Sequence, residues 1–145
     1  MFYISSKNGD KLGVTDTRDN KEEFYTKDEL SKICRENRIR INGFTYTGSS
    51  FKVEVKNLAL IFIESLQNGD VFILDDKPAM RIGETGARNF SIFRDSSIIK
   101  LSRENLLKGV YKISNKAVSN VDKKALISNY LELYPSSSLS VYLNV

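Results

Sequence analysis

Val71-Phe72-Ile73-Leu74, Ala79-Met80-Arg81-Ile82, Asn89-Phe90-Ser91-Ile92-Phe93 and Ile98-Ile99-Lys100-Leu101 are four short runs rich in β-branched and aromatic side chains. The separators are Asp75-Asp76-Lys77-Pro78, Gly83-Glu84-Thr85-Gly86 and Asp95-Ser96-Ser97, all turn formers. This succession decides the fold class. It predicts a four-strand antiparallel meander or a small, partly open barrel.

On the N-terminal side of these runs, Leu58-Ala59-Leu60-Ile61-Phe62-Ile63 is continuously apolar. Periodicity alone does not separate a buried strand from a buried helix there. Asn57 as an N-cap and Gly69 just beyond the end favour a helix. On the C-terminal side, Ser102 can cap a short helix through Lys108, with Gly109 ending it, and residues 110–114 read as one more strand. Ser119-Asn120-Val121-Asp122 is a capping-box pattern with Asp in place of Glu or Gln. It starts a predicted helix from Asn120 to Leu133, stopped by Pro135. Val121, Ala125, Leu126, Tyr130 and Leu133 are its expected buried side. Leu139, Val141 and Leu143 alternate as an expected final strand.

The first third opens with Phe2 to Ser5, then Asn8-Gly9 as a type I′ hairpin signal and a return strand over residues 12–17. A short third strand is expected over residues 23–25. Thr26-Lys27-Asp28-Glu29 is a capping box with Tyr25 and Leu30 at the staple positions, so the sequence predicts a helix from Lys27 to about Asn37. Leu30, Ile33 and Cys34 form its apolar face. Ile39, Ile41 and Phe44 to Tyr46, a turn at Gly48-Ser49-Ser50, and Phe51, Val53 and Val55 then read as a hairpin. Strands outnumber helices and no regular βαβ alternation appears. The expected class is α+β, an antiparallel sheet or partly open small barrel with three to four helices. One domain over residues 1–145 is expected, with a neutral subdomain (1–68) and a basic one (69–145).

The 145 residues are 41% hydrophobic and 28% charged, which suits a folded chain. There is no histidine and a single cysteine, Cys34. The commonest general base and the commonest metal ligand are therefore missing. A lone cysteine excludes an intramolecular disulfide and a cysteine zinc site. The start, Met1-Phe2-Tyr3-Ile4, lacks the basic region and apolar length of a signal peptide, so a cytoplasmic location is expected.

Net charge is +4, from 22 basic and 18 acidic residues. Residues 1–70 balance at 11 of each, and residues 71–145 hold 11 basic against 7 acidic. Over residues 77–124 the excess reaches +7. A basic surface of that size attracts phosphates or an acidic partner. Phe90, Phe93 and Tyr111 interleave with Arg88, Arg94 and Lys112, as base stacking on a sheet would require. The spacing of Phe90 and Phe93 turns them to opposite faces, so core packing is the stronger reading.

Other motifs weigh toward structure. The 83–88 loop matches no phosphate-binding fingerprint and reads as a β-turn. Ser97-Ile98-Ile99-Lys100 spells S-x-x-K, but on a strand its ends point to opposite faces. Asp75-Asp76 and Asp16-x-x-Asp19 sit at turn signals, where Asp is favoured anyway. No catalytic residue, metal ligand or cofactor is expected.

Residues 11–17, Lys11-Leu12-Gly13-Val14-Thr15-Asp16-Thr17, and residues 22–30, Glu22-Glu23-Phe24-Tyr25-Thr26-Lys27-Asp28-Glu29-Leu30, resemble the start of small proteins encoded by phages and prophages of low-GC Gram-positive bacteria. The resemblance covers about the first third of the chain and carries over no catalytic residues. It implies an accessory protein of a phage or mobile element, a class that includes inhibitors of host defence such as anti-CRISPR proteins. The expected role is binding without catalysis, to a host nucleic-acid-handling complex or to nucleic acid, through Arg81, Arg88, Arg94, Lys100 and Lys108. The alternative is a structural or assembly protein acting by self-association through a strand edge.

Overall fold

The structure is a computed structural model, and it describes residues 1–86 and 88–141. The chain is α+β and divides into two compact units, Met1–Leu58 and Ala59–Val145.

The first unit begins with β1 (Phe2–Asn8), β2 (Lys11–Asp16) and β3 (Glu22–Thr26). Asn8 pairs with Lys11, so the turn residues are Gly9 and Asp10. Only Gly9 has positive φ, at 63°. The hairpin is thus of type II′, one residue out of phase with the type I′ expectation. The capping box holds: Glu29 N donates to Thr26 Oγ1 at 3.2 Å, and Thr26 N donates to Glu29 Oε1 at 3.1 Å. It starts α1 (Lys27–Asn37), which ends at Arg38 in the left-handed region. β4 (Ile41–Asn42) then returns parallel to β1, giving a curled sheet in the order β3-β2-β1-β4. β5 (Phe44–Thr47) and β6 (Ser50–Val53) form a separate hairpin whose turn is Gly48-Ser49. Ile4, Leu12, Val14, Leu30, Cys34, Ile41 and Phe44 make the core of this unit.

The second unit holds α2 (Leu58–Ser65) from Ala59 onward and continues with β7 (Val71–Leu74), β8 (Lys77–Thr85), β9 (Asn89–Arg94) and β10 (Ser97–Ser102). Then come α3 (Arg103–Leu107), β11 (Ile113–Ser114) and α4 (Asn120–Leu133). The sheet order is β10-β9-β8-β7-β11, all antiparallel, so the expected meander is present. Two of its turns use no glycine. Asp75 and Asp76 have φ of 49° and 67°, and Asp95 and Ser96 have 50° and 62°, the signs a type I′ turn demands. Gly83 is not in a turn. It continues β8 beside a bulge; β8 runs to Thr85 and β9 starts at Asn89.

Alternation gives this sheet two buried faces. Phe72, Leu74, Ala79, Phe90, Ile92 and Leu101 pack with Leu60 and Ile63 of α2 and Leu106 of α3. Met80 and Phe93 pack with Leu126, Ile127 and Tyr130 of α4. The expected buried side of α4 needs correction. Leu126 and Tyr130 are buried, but Val121 is 77% exposed, Leu133 is 47% exposed, and Ala125 is exposed. The helix packs through its middle turns on Met80 and Phe93, and its first turn projects past them. Residues 138–141 form a 3-10 turn, not the expected strand. Residues 142–145, the rest of that expectation, lie outside the described residues.

Candidate nucleic-acid interface

The five cations singled out by sequence fall into two groups. Arg81 and Arg94 are turned into the fold. Arg88, Lys100 and Lys108 are on the surface.

Arg81 is 8% exposed. Its Nη1 donates to the carbonyls of Ile63 at 2.9 Å and Leu66 at 2.6 Å, at the end of α2. Its Nη2 meets Glu84 Oε1 at 2.8 Å. The guanidinium of Arg81 lies 5.2 Å from the Phe90 ring centroid, and that of Arg103 lies 4.6 Å from it. Arg103 also pairs with Glu64 and approaches Glu84. This network closes a helix end that has no basic residue of its own in the last turn. Arg94 points between Asp75, at 3.6 Å, and Asp95, at 3.9 Å, under the two type I′ turns.

Arg88 and Lys108 both act electrostatically on Glu104. Lys108 Nζ pairs with Glu104 Oε1 at 2.9 Å, and the Arg88 charge adds to the field that lowers the Glu104 carboxyl below its usual range. Lys108, its hydrogen-bond partner, is the main cause of that shift. The Arg88 carbonyl accepts from Arg103 N at 2.8 Å, which fixes the loop against the start of α3. Lys100 is exposed on β10, the outer strand of the sheet. A lysine there also deters edge-to-edge strand pairing, which is its structural reading.

Among the described residues, ion pairs in this unit engage as many cations as acids, and Asp70, Asp122 and Glu132 are exposed acids outside them. Glu64, Asp75, Asp76, Glu84, Asp95 and Glu104 each contact a basic side chain. Among the described residues, Arg88, Lys100, Lys116, Lys123 and Lys124 are exposed and make no ion pair. By units, however, the formal charge is shared equally. Residues 1–58 and 59–145 each hold 11 basic and 9 acidic residues, or +2.

The stacking platform does not form. Phe90 and Phe93 are both 0% exposed, on opposite faces, and Tyr111 packs against the core. Asp75, Asp76 and Asp19 are turn residues, and Asp16 ends β2. Asp16 is held by Arg18, and Asp19 accepts from the Lys21 amide. No group of three His, Cys, Asp or Glu side chains among the described residues could hold a metal ion. No helix among them is long and apolar enough to cross a membrane.

One basic cluster is hidden from a coarse reading of the sequence. Lys32, Arg35, Arg38 and Arg40 surround α1's end, with Glu36 as the one acid over residues 30–53. Averaging charge over residues 1–70 conceals it, and a shorter window shows it. No family model, curated protein or solved structure matches the chain.

Proposed function

We propose that the chain is a non-catalytic accessory binding protein of a phage or mobile element, acting in the host cytoplasm. It contacts nucleic acid, free or held in a host nucleic-acid-handling complex such as an anti-CRISPR-like target, through Arg88, Lys100 and Lys108. The observation that carries this reading is that Arg88 and Lys100 are exposed and make no ion pair among the described residues, with Lys108 exposed beside Glu104. Such a surface lowers its free energy by neutralising phosphates and releasing their counterions. A pull-down from the host with and without nuclease tests it. The reading expects capture that weakens with salt and with charge reversal at Arg88, Lys100 and Lys108. Capture indifferent to both contradicts it.

The second reading is assembly by self-association. Two outer strands favour it, because Phe24 on β3 and Ile98 on β10 are each 44% exposed. Light scattering separates the two, since assembly predicts a closed oligomer at low concentration.

A further inference from the structure

The first unit contains an open cleft of about 660 Å³, walled by Phe2, Ile39, Arg40, Ile41, Phe44 and Tyr46. Its size falls within the range of small-molecule sites, roughly 300–1,000 Å³. Most of the wall is apolar, and Arg40 is exposed and makes no ion pair among the described residues.

The charged side chains near this wall are Arg40, Arg35 and the Arg18–Asp16 ion pair, with Asp16 opposite Phe2 in the β1–β2 register. Arg35 stacks 5.3 Å from the Tyr46 ring centroid, and Arg18 stacks 5.8 Å from that of Phe2. The wall segment, residues 39–46, contains no acid. The cleft is also pre-formed. β4 is pinned to β1 through Phe2–Ile41 and Tyr3–Asn42. Gly43, at φ 92°, is clamped where a Cβ would stand 2.1 Å from the Glu54 carbonyl oxygen. The Gly43 carbonyl accepts from Glu54 N at 2.7 Å. β4 is the outer strand of its sheet, so one side of its backbone has no strand partner.

We propose that this cleft binds a small aromatic anion, with the ring system against the Phe2, Ile39 and Phe44 wall and a phosphate, sulfonate or carboxylate on Arg40. An apolar wall selects the body by area, and a guanidinium selects the head by charge-assisted hydrogen bonding. This inference does not rest on the basic surface of the second unit.

Two probes test it on the full chain: 8-anilinonaphthalene-1-sulfonate and adenosine 5′-monophosphate. Calorimetry would give the affinity and amide NMR shifts the location. The expected result is saturable binding of at least one probe, with shifts centred on residues 39–46. Arg40→Glu is expected to weaken it about tenfold or more, and Arg40→Lys to restore part of the loss. Arg88→Glu, in the other unit, is expected to leave it unchanged. Where adenosine 5′-monophosphate binds, adenosine and inorganic phosphate separately are expected to bind more weakly. Circular dichroism checks that the variants fold. No saturable binding of either probe overturns the proposal. So do shifts away from the cleft, or an affinity indifferent to Arg40→Glu.

Discussion

Arg81 closes the C-terminal end of α2 by donating from Nη1 to the Leu66 carbonyl oxygen at 2.6 Å. A side chain from the middle of a strand thus supplies what the helix's own sequence lacks. Arg81→Met would leave the Ile63 and Leu66 carbonyls and the Glu84 carboxylate without their donor. The expected loss is about 2–4 kcal/mol by urea unfolding, within the range for breaking a buried charged network. Arg81→Lys is expected to recover little, because one ammonium cannot span both carbonyls and Glu84. A loss under about 0.5 kcal/mol, the size of an ordinary surface change, would contradict the capping role.

The type I′ turn at Asp75-Asp76 holds Asp76 at φ 67° without glycine. Asp76 also pairs with Lys112, but both side chains are more than 70% exposed, so that pair adds little. Asp76→Gly is expected to stabilise the fold by about 0.5 kcal/mol, since glycine adopts this backbone without strain. Thermal unfolding measures it, and a lowered Tm would contradict the turn assignment.

Gly43 is expected to tolerate no side chain. A Cβ there meets backbone, the Glu54 carbonyl oxygen at 2.1 Å, and φ is 92°. Gly43→Ala should cost about 2 kcal/mol or more. Gly48, also at positive φ, has open space around its Cβ position, so Gly48→Ala should cost less. Equal losses at the two sites would contradict the clamp.

Hydrogen bonds from Arg18 hold the Asp16 carboxyl at about 2, against an ordinary 3.8. The Thr26 amide and hydroxyl lower Glu29 in the same direction. Both groups bind a proton more weakly folded than unfolded. Their stabilisation is therefore present above the ordinary carboxylate range and lost as pH falls toward 2. Tm is expected to decline between about pH 4 and pH 2, and Asp16→Asn to flatten part of that decline. An unchanged slope in Asp16→Asn would contradict it.

Much of the fold is legible in the sequence because its signals are local. The Thr26 and Ser119 caps mark both longer helices, and alternation marks β7 to β10. Expectation and structure part where tertiary partners decide. Val121 and Leu133 match the helical period of α4, yet Met80 and Phe93 sit under its middle turns only. Leu139 and Val141 alternate like a strand, but residues 138–141 turn as a 3-10 helix and Leu139 packs into the α4 core. The basic surface is legible as a charge excess. Its composition is not, because Arg81 and Arg94 bond to groups that only folding brings near.

Exposed cations of the second unit are proposed to engage nucleic acid. Fluorescence anisotropy with a labelled single strand of about 20 nucleotides tests it most directly, as salt rises from about 50 to 300 mM. Affinity is expected to fall linearly on a log–log plot. Arg88→Glu, Lys100→Glu and Lys108→Glu together should weaken binding and reduce the slope by about 2, near 0.7 for each phosphate no longer neutralised. Absence of binding at the lowest salt, or the same affinity and slope in the triple variant, would contradict it.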